Sequence, residues 1–202
     1  MGFGGSMTEQ AGSLTDERLL AELRQKSPDA FDTVVTRYKD PLTACARWLL
    51  GGSPEEAETI VRGVFLRLYF SGGSIRRTPR LSTWLFGETI RLARSRTRQS
   101  HLAGALTSLL RRKRPSGKVD PRQVYLQQEL SRSGESQEVE SLRKKLGLLP
   151  APLKEVLVLH DLLELPSDEI GGILRISAAA VESRAEEARA ALEASSRMRR
   201  GG

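Results

Sequence analysis

The chain has 202 residues, 39% hydrophobic and 28% charged, with a formal net charge of +7. This is an ordinary soluble composition with room for one large or two small domains. No apolar run reaches transmembrane length, and the single cysteine, Cys45, excludes a disulfide framework and points to the cytoplasm. The basic balance favours a polyanionic partner but is unevenly placed: residues 14–99 and 100–139 carry the surplus, whereas residues 140–197 hold slightly more acid than base.

The first thirteen residues, MGFGGSMTEQAGS, lack the apolar core of a signal peptide and read as a flexible leader, with Met7 as a candidate start. Helical spacing follows. Leu14 to Lys26 places Leu19, Leu20 and Leu23 on one face, with Thr15 or Asp16 as cap. Pro28 to Leu50 carries an apolar stripe from Ala30 to Leu49 and ends at Gly51-Gly52-Ser53-Pro54. Cys45, within LTACARWLL, fits a small core residue. Glu55 to Phe70 forms a third helix with Ile60, Val61, Val64, Phe65, Leu68 and Tyr69 as its stripe. A loop spans Ser71 to Arg80. A fourth helix runs from Leu81 to about Arg98 and ends in Arg91, Arg94, Arg96 and Arg98.

Ser100 to Val139 has no sustained period; RRKRPSGK and SRSGESQE are linker composition, with one short helix expected around Val124 to Leu130. With no strand alternation and no repeat, the expectation is an all-α fold: two helical domains, 14–99 and 140–197, joined by a flexible basic linker, 100–139.

The densest signal is LGLLPAPLKEVLVLHDLLELPSDEIGGILRISAAAVESRAEEARAAL. Pro150 and Pro152 open an apolar helix, Leu153 to Leu163. Pro166 and Ser167 open a short second helix, with Ser167 as cap and Asp168 and Glu169 suiting the dipole. Ser177 caps a third. Only the Arg175-Ile176 turn separates the last two, which is the spacing of a helix-turn-helix. Val181, Ala185, Ala188 and Leu192 define the buried face of the third helix, so Ala179, Ser183, Glu186 and Ala190 point outward, flanked by Glu182 and Glu187. A DNA-reading helix ordinarily presents Arg, Lys, Asn or Gln there. Arg175 stands where glycine is common, and a left-handed conformation at that residue costs on the order of 1 kcal/mol. Gly171-Gly172 weakens the preceding helix by about as much per residue.

Three segments, in order, resemble the extracytoplasmic-function class of RNA polymerase sigma factors. DAFDTVVTRYKDPLTACARWLL with SPEEAETIVRGVFLRLY resembles the helix pair that docks on the polymerase clamp. LSTWLFGETIRLARSRTRQ resembles the promoter-melting helix, and LPAPLKEVLVLHDLLELPSDEIGGILRISAAAVESRAEEARAAL resembles the helix-turn-helix that reads the upstream promoter element. Glu56, Glu58, Phe65 and Leu66 keep the docking pattern. Thr59, Arg62 and Gly63 stand where the family presents acidic and amide groups, and a like-charge contact there costs on the order of several kcal/mol. In the melting helix, Trp84, Leu85, Leu92, Ala93 and Arg94 fit; Gly87, Glu88, Ile90 and Arg91 depart.

The resemblance implies an alternative sigma factor that directs RNA polymerase core to specific promoters. Its partners would be the beta-prime clamp and beta subunits, promoter DNA and an anti-sigma protein, with no membrane partner. Polymerase would meet Glu56, Glu58, Arg62, Phe65, Leu66 and Tyr69. Promoter DNA would meet Arg76, Arg77, Arg80, Trp84, Arg91, Arg94 and Arg98 in the first domain, and Ser177, Ser183, Arg184 and Arg189 in the second. Cations along a helix make a phosphate track and aromatic faces hold unstacked bases. By residue type alone, Trp84 and Phe86 fit equally well as core residues and the arginines as a solvated face. His101 and His160 have no second ligand at metal spacing, and no nucleophile-base pair or phosphate loop is present. The expectation is therefore no enzyme, no metal and no cofactor. Two further readings stay open: a sigma-derived regulatory adaptor that binds protein and has lost normal promoter recognition, and a general nucleic-acid binder acting through its basic linker.

Overall fold

The computed structural model of the chain describes residues 15–70, 80–111 and 137–198, and every regular element among them is a helix. Helix α1 (Asp16–Arg24) is capped by Thr15, whose side chain accepts from the Arg18 amide, and α2 (Pro28–Leu50) by Ser27 with Pro28 in its first turn. Gly51, at φ 80°, ends α2 in the left-handed conformation. Ser53 accepts from the Glu56 amide at 3.3 Å and starts α3 (Pro54–Phe70). These borders follow from local chemistry, and sequence signals locate them.

Helix α4 departs from expectation. It spans Leu81–Arg111, well beyond the break expected near Arg98. The arginine run does not interrupt it, and HLAGALTSLLR holds no proline, so propensity carries the helix into the segment assigned to the linker. The short helix expected at Val124 to Leu130, the loop arginines Arg76 and Arg77, and the leader lie outside the described residues.

Helix α5 (Gln137–Leu146) precedes α6 (Ala151–Leu157), which continues into a π-helical turn, Val158–Leu162, closed by the Leu163 amide on the Val158 carbonyl at 3.0 Å. Helices α7 (Ser167–Leu174) and α8 (Ala178–Met198) complete the helix-turn-helix. Ser167 does not cap α7. Pro166 holds the cap position, and Ser167 is already helical, so its hydroxyl turns outward and donates to the Glu182 carboxylate instead.

The two halves share one core. Val34, Leu42, Leu85 and Ile90 of the N-terminal helices cluster with Val156, Leu159, Ile170, Ile173 and Val181 of the C-terminal ones. A smaller cluster, Leu146, Leu153, Leu157 and Ala188, leans on Trp48 of α2. Polar contacts lock the same seam: the Lys154 ammonium donates to the Leu49 carbonyl at the end of α2 at 2.6 Å, and the Arg143 guanidinium lies 5.3 Å from the centre of the Trp48 ring. The described residues of the two halves pack together. Apolar faces such as that of α7, too small to be covered within a short helix-turn-helix, are buried against α4.

Candidate nucleic-acid and protein-docking surfaces

The first surface is a groove between α2 and α3 of about 650 Å³, floored by Phe31, Val35 and Val61 and rimmed by Lys39, Glu58 and Arg62. Leu66, Tyr69 and Phe70 stand beside it at 51%, 66% and 78% exposure. Large apolar side chains this open on one helix mark a docking face. Edge-to-face contacts fix their geometry, with Phe31 5.5 Å from Tyr69 and Tyr69 5.3 Å from Phe70 between ring centres. Of the residues expected here, Glu58, Arg62, Leu66 and Tyr69 come together on the groove. Phe65 is almost wholly buried and offers the groove only an edge. Glu56 is engaged by Arg96 of α4 at 2.7 Å. Phe70 was missed, although its position four residues after Leu66 is a signal for a shared face.

The second surface is α4. Leu85, Phe86, Ile90 and Ala93 are buried, so Phe86 is a core residue, while Trp84 is half-buried at the edge of the core. Of the arginines expected to form a phosphate track, Arg91, Arg94 and Arg96 are occupied by carboxylates. Glu88, its side chain only 10% exposed, is held by Arg91 at 2.6 Å and by Arg67 at 2.5 Å. Hydrogen bonding to Glu88 raises the Arg91 pKa above its usual value. Arg94 forms a bidentate pair with Glu155 of α6, its Nε 2.5 Å from Oε1, and this pairing likewise raises the Arg94 pKa. Arg98 is exposed. Arg80 reaches Asp168 of α7 at 3.5 Å. A cleft of about 890 Å³ between α4 and α7 includes Arg80, Trp84, Arg91, Arg94 and Arg175 in its lining.

The third surface is the helix-turn-helix. Arg175 adopts the left-handed conformation, φ 59° and ψ 48°, as the missing glycine implied. Ser177 caps α8 by accepting from the Ala180 amide at 3.2 Å. Val181, Ala185 and Ala188 are buried, and Ala179, Ser183, Glu186 and Ala190 are exposed, so the projected faces are those observed. Arg184 is half-buried. Arg189 is tied back to Asp161 by two bonds of 2.8 and 2.6 Å, and this holds the Asp161 carboxyl below the usual range. His160 sits half-buried on the π turn, its Nδ1 2.6 Å from Asp161.

Burial shifts two further groups. Desolvation pushes the Cys45 thiol up to about 12, so it stays protonated in the core. Burial lowers the Lys154 ammonium pKa.

An all-helical chain with an apolar docking groove, a cation-bearing helix and a helix-turn-helix has the parts of a DNA-directed transcription factor. Residues 140–192 match the family Sigma-70, region 4. The chain is 28% identical over 185 residues to the ECF RNA polymerase sigma factor SigW of Bacillus subtilis (strain 168), covering 87% of this chain and 94% of that protein. Among solved structures it is similar to CnrH in complex with the cytosolic domain of CnrY (TM-score 0.62, 22% identity, 89% of this chain and 95% of that one). It is also similar to the sigma factor RpoE in complex with the anti-sigma factor NepR from Bartonella quintana (TM-score 0.60, 18% identity, 81% and 94%). The chain thus carries a sigma-70 region 4 domain on a sigma-factor fold and is a divergent homologue of the extracytoplasmic-function RNA polymerase sigma factors. These relations support an alternative sigma factor directing transcription.

Proposed function

We propose that this sigma factor docks on the beta-prime clamp of RNA polymerase core through the α2–α3 groove, with Glu58, Arg62, Leu66 and Tyr69 as its contact residues and Phe70 added to them. The single observation that carries the docking reading is the row of exposed apolar side chains on α3, which nothing within the described residues covers. Promoter DNA engages α4 through Arg80, Trp84, Arg91, Arg94 and Arg98, together with Arg76 and Arg77. Ser183 and Arg184 on the outer part of α8 approach the upstream element, with the Ser177 cap and Arg189 beside them. The beta subunit and an anti-sigma protein complete the partners, the latter by analogy with RpoE and NepR. The protein acts in the cytoplasm by binding and has no catalytic role. No helix among the described residues is long and apolar enough to cross a membrane.

Run-off transcription with purified core polymerase and promoter templates tests this reading. The expected result is a promoter-dependent transcript that requires the protein. No complex with core and no transcript would overturn it. A second reading, a protein-binding adaptor derived from a sigma factor, draws on the acidic outer face of α8, where Glu182, Glu186 and Glu187 are exposed. Retained core binding without promoter-dependent transcription would favour that adaptor.

A further inference from the structure

We propose that the C-terminal domain masks the nucleic-acid face of α4 by placing its own carboxylates where phosphates would bind, so that the free chain holds itself closed. The inference rests on the reading of α4 as a nucleic-acid helix.

Among the described residues, three polar contacts join α4 and the preceding Arg80 to the C-terminal domain, and each brings an acid from that domain. Arg94 grips both oxygens of Glu155, Arg80 meets Asp168, and the Ser82 hydroxyl donates to Glu169. Glu155 is only 3% exposed, so its charge is out of water and depends on Arg94. A guanidinium offers carboxylate and phosphate the same fork of donors and cannot serve both at once. Between these contacts the helices meet closely. A Cβ added at Gly87 would lie 3.8 Å from the Ile173 carbonyl oxygen, and one at Gly172 would lie 3.6 Å from Thr83 Cγ2. Ile90 and Ile173 seal the space beneath.

The charge distribution gains a reason. The acid surplus of a domain expected to meet DNA includes Glu155, Asp168 and Glu169, which face Arg94, Arg80 and Ser82 of its own first half. Closure and nucleic-acid binding on this face are mutually exclusive and coupled in both directions: whatever opens the chain frees Arg94, and whatever claims Arg94 opens the chain. A chain open about one part in ten would bind about tenfold more weakly than one held open.

A Cβ at Gly172 would touch the Thr83 side chain across the seam, so the full-length chain carrying Thr83→Cys and Gly172→Cys, cross-linked by oxidation, gives a direct test. Arg112, Lys113 and Arg114 are changed to serine in every protein compared, so that the probe reports on α4. The probe is a fluorescein-labelled single-stranded DNA of mixed sequence, followed by anisotropy. The oxidised chain is expected to lose binding by more than about tenfold relative to the same chain after reduction, because the lock removes the open fraction that binds. In the background without the added cysteines, the variant Glu155→Gln/Asp168→Asn/Glu169→Gln is expected to bind about tenfold more tightly than its parent. It should also exceed Glu17→Gln/Asp32→Asn/Asp40→Asn, which changes net charge equally at exposed positions away from the seam and from α8. Equal binding by oxidised and reduced chains, or equal gains in the two charge variants, would overturn the masking. Absence of binding by every form would instead overturn the assignment of α4 as a nucleic-acid helix, and with it the inference.

Discussion

The amide of Ile176 donates to the Gly171 carbonyl at 3.0 Å, and the Ile176 carbonyl doubles back so closely that a Cβ on Gly171 would sit 2.7 Å from its oxygen. The turn between α7 and α8 closes only because residue 171 has no side chain. Gly171→Ala is therefore expected to destabilise the fold by about 2–3 kcal/mol through backbone collision. Gly172→Ala meets Thr83 at ordinary contact distance and should be neutral or stabilising by up to about 1 kcal/mol through helix propensity. Urea denaturation of the pair of variants checks this; equal stabilities would contradict the steric account.

Arg175 occupies the left-handed position after α7 with a full side chain. Arg175→Gly should raise stability by about 0.5–1 kcal/mol, since removing the Cβ strain outweighs the added freedom of the unfolded chain. A thermal midpoint that falls would show that the arginine makes compensating contacts.

Arg94 and Glu155 form a coupled pair across the seam. Arg94→Ala leaves a buried carboxylate unpaired and is expected to cost about 2 kcal/mol, at the low end for such a loss because half of the arginine side chain is in solvent. Arg94→Leu/Glu155→Leu should recover most of that, because both charges leave together. A double-mutant cycle in denaturant reports the coupling, and additive losses would mean that the two residues act independently.

On the docking groove, Leu66→Ala and Tyr69→Ala should each weaken binding to core polymerase by about 1–2 kcal/mol while leaving stability within about 0.5 kcal/mol, because both side chains are largely exposed. Arg62→Glu should strengthen binding if the facing surface is basic. Unchanged affinities in all three, measured by surface capture of core, would place the interface elsewhere.

Asp161, tied to Arg189 and His160, has its pKa lowered by folding. A depressed carboxylate pKa contributes stability above the unfolded value near 4, and that contribution is lost as the pH falls through the lower folded value. Asp161→Asn should therefore flatten the acid limb of the stability curve and change neutral stability by no more than about 1 kcal/mol, given partial solvent screening. An unaltered acid limb would show that the pair contributes nothing.

Local chemistry made much of this molecule legible. Ser27 with Pro28, Gly51, and Ser177 mark helix ends because capping is settled within a few residues. The buried face of α8 could be projected because Val181, Ala185 and Ala188 repeat at the helical period, and the left-handed Arg175 followed from the turn geometry. Ser167 was misread because cap and first helical residue are neighbours, and Pro166 took the role. The end of α4 was misread because a charged stretch still propagates a helix.

What the sequence determined by itself was the helical fold and the helix-turn-helix, both products of short-range periodicity and spacing, with the sigma-factor kinship implied by the resemblance of three segments to that family. Only the tertiary structure decided where the charges go. Arg94 and Glu155, and Arg96 and Glu56, are partners separated by 61 and 40 residues, and no local pattern announces such pairs. Gly87 and Gly172 look like weaknesses in their own helices; across the seam they let α4 and α7 approach. Helix packing brings basic and acidic faces together, so Arg94 and Arg96, which read as part of a free phosphate track, are already paired, because ion pairing depends on distance in space and not along the chain.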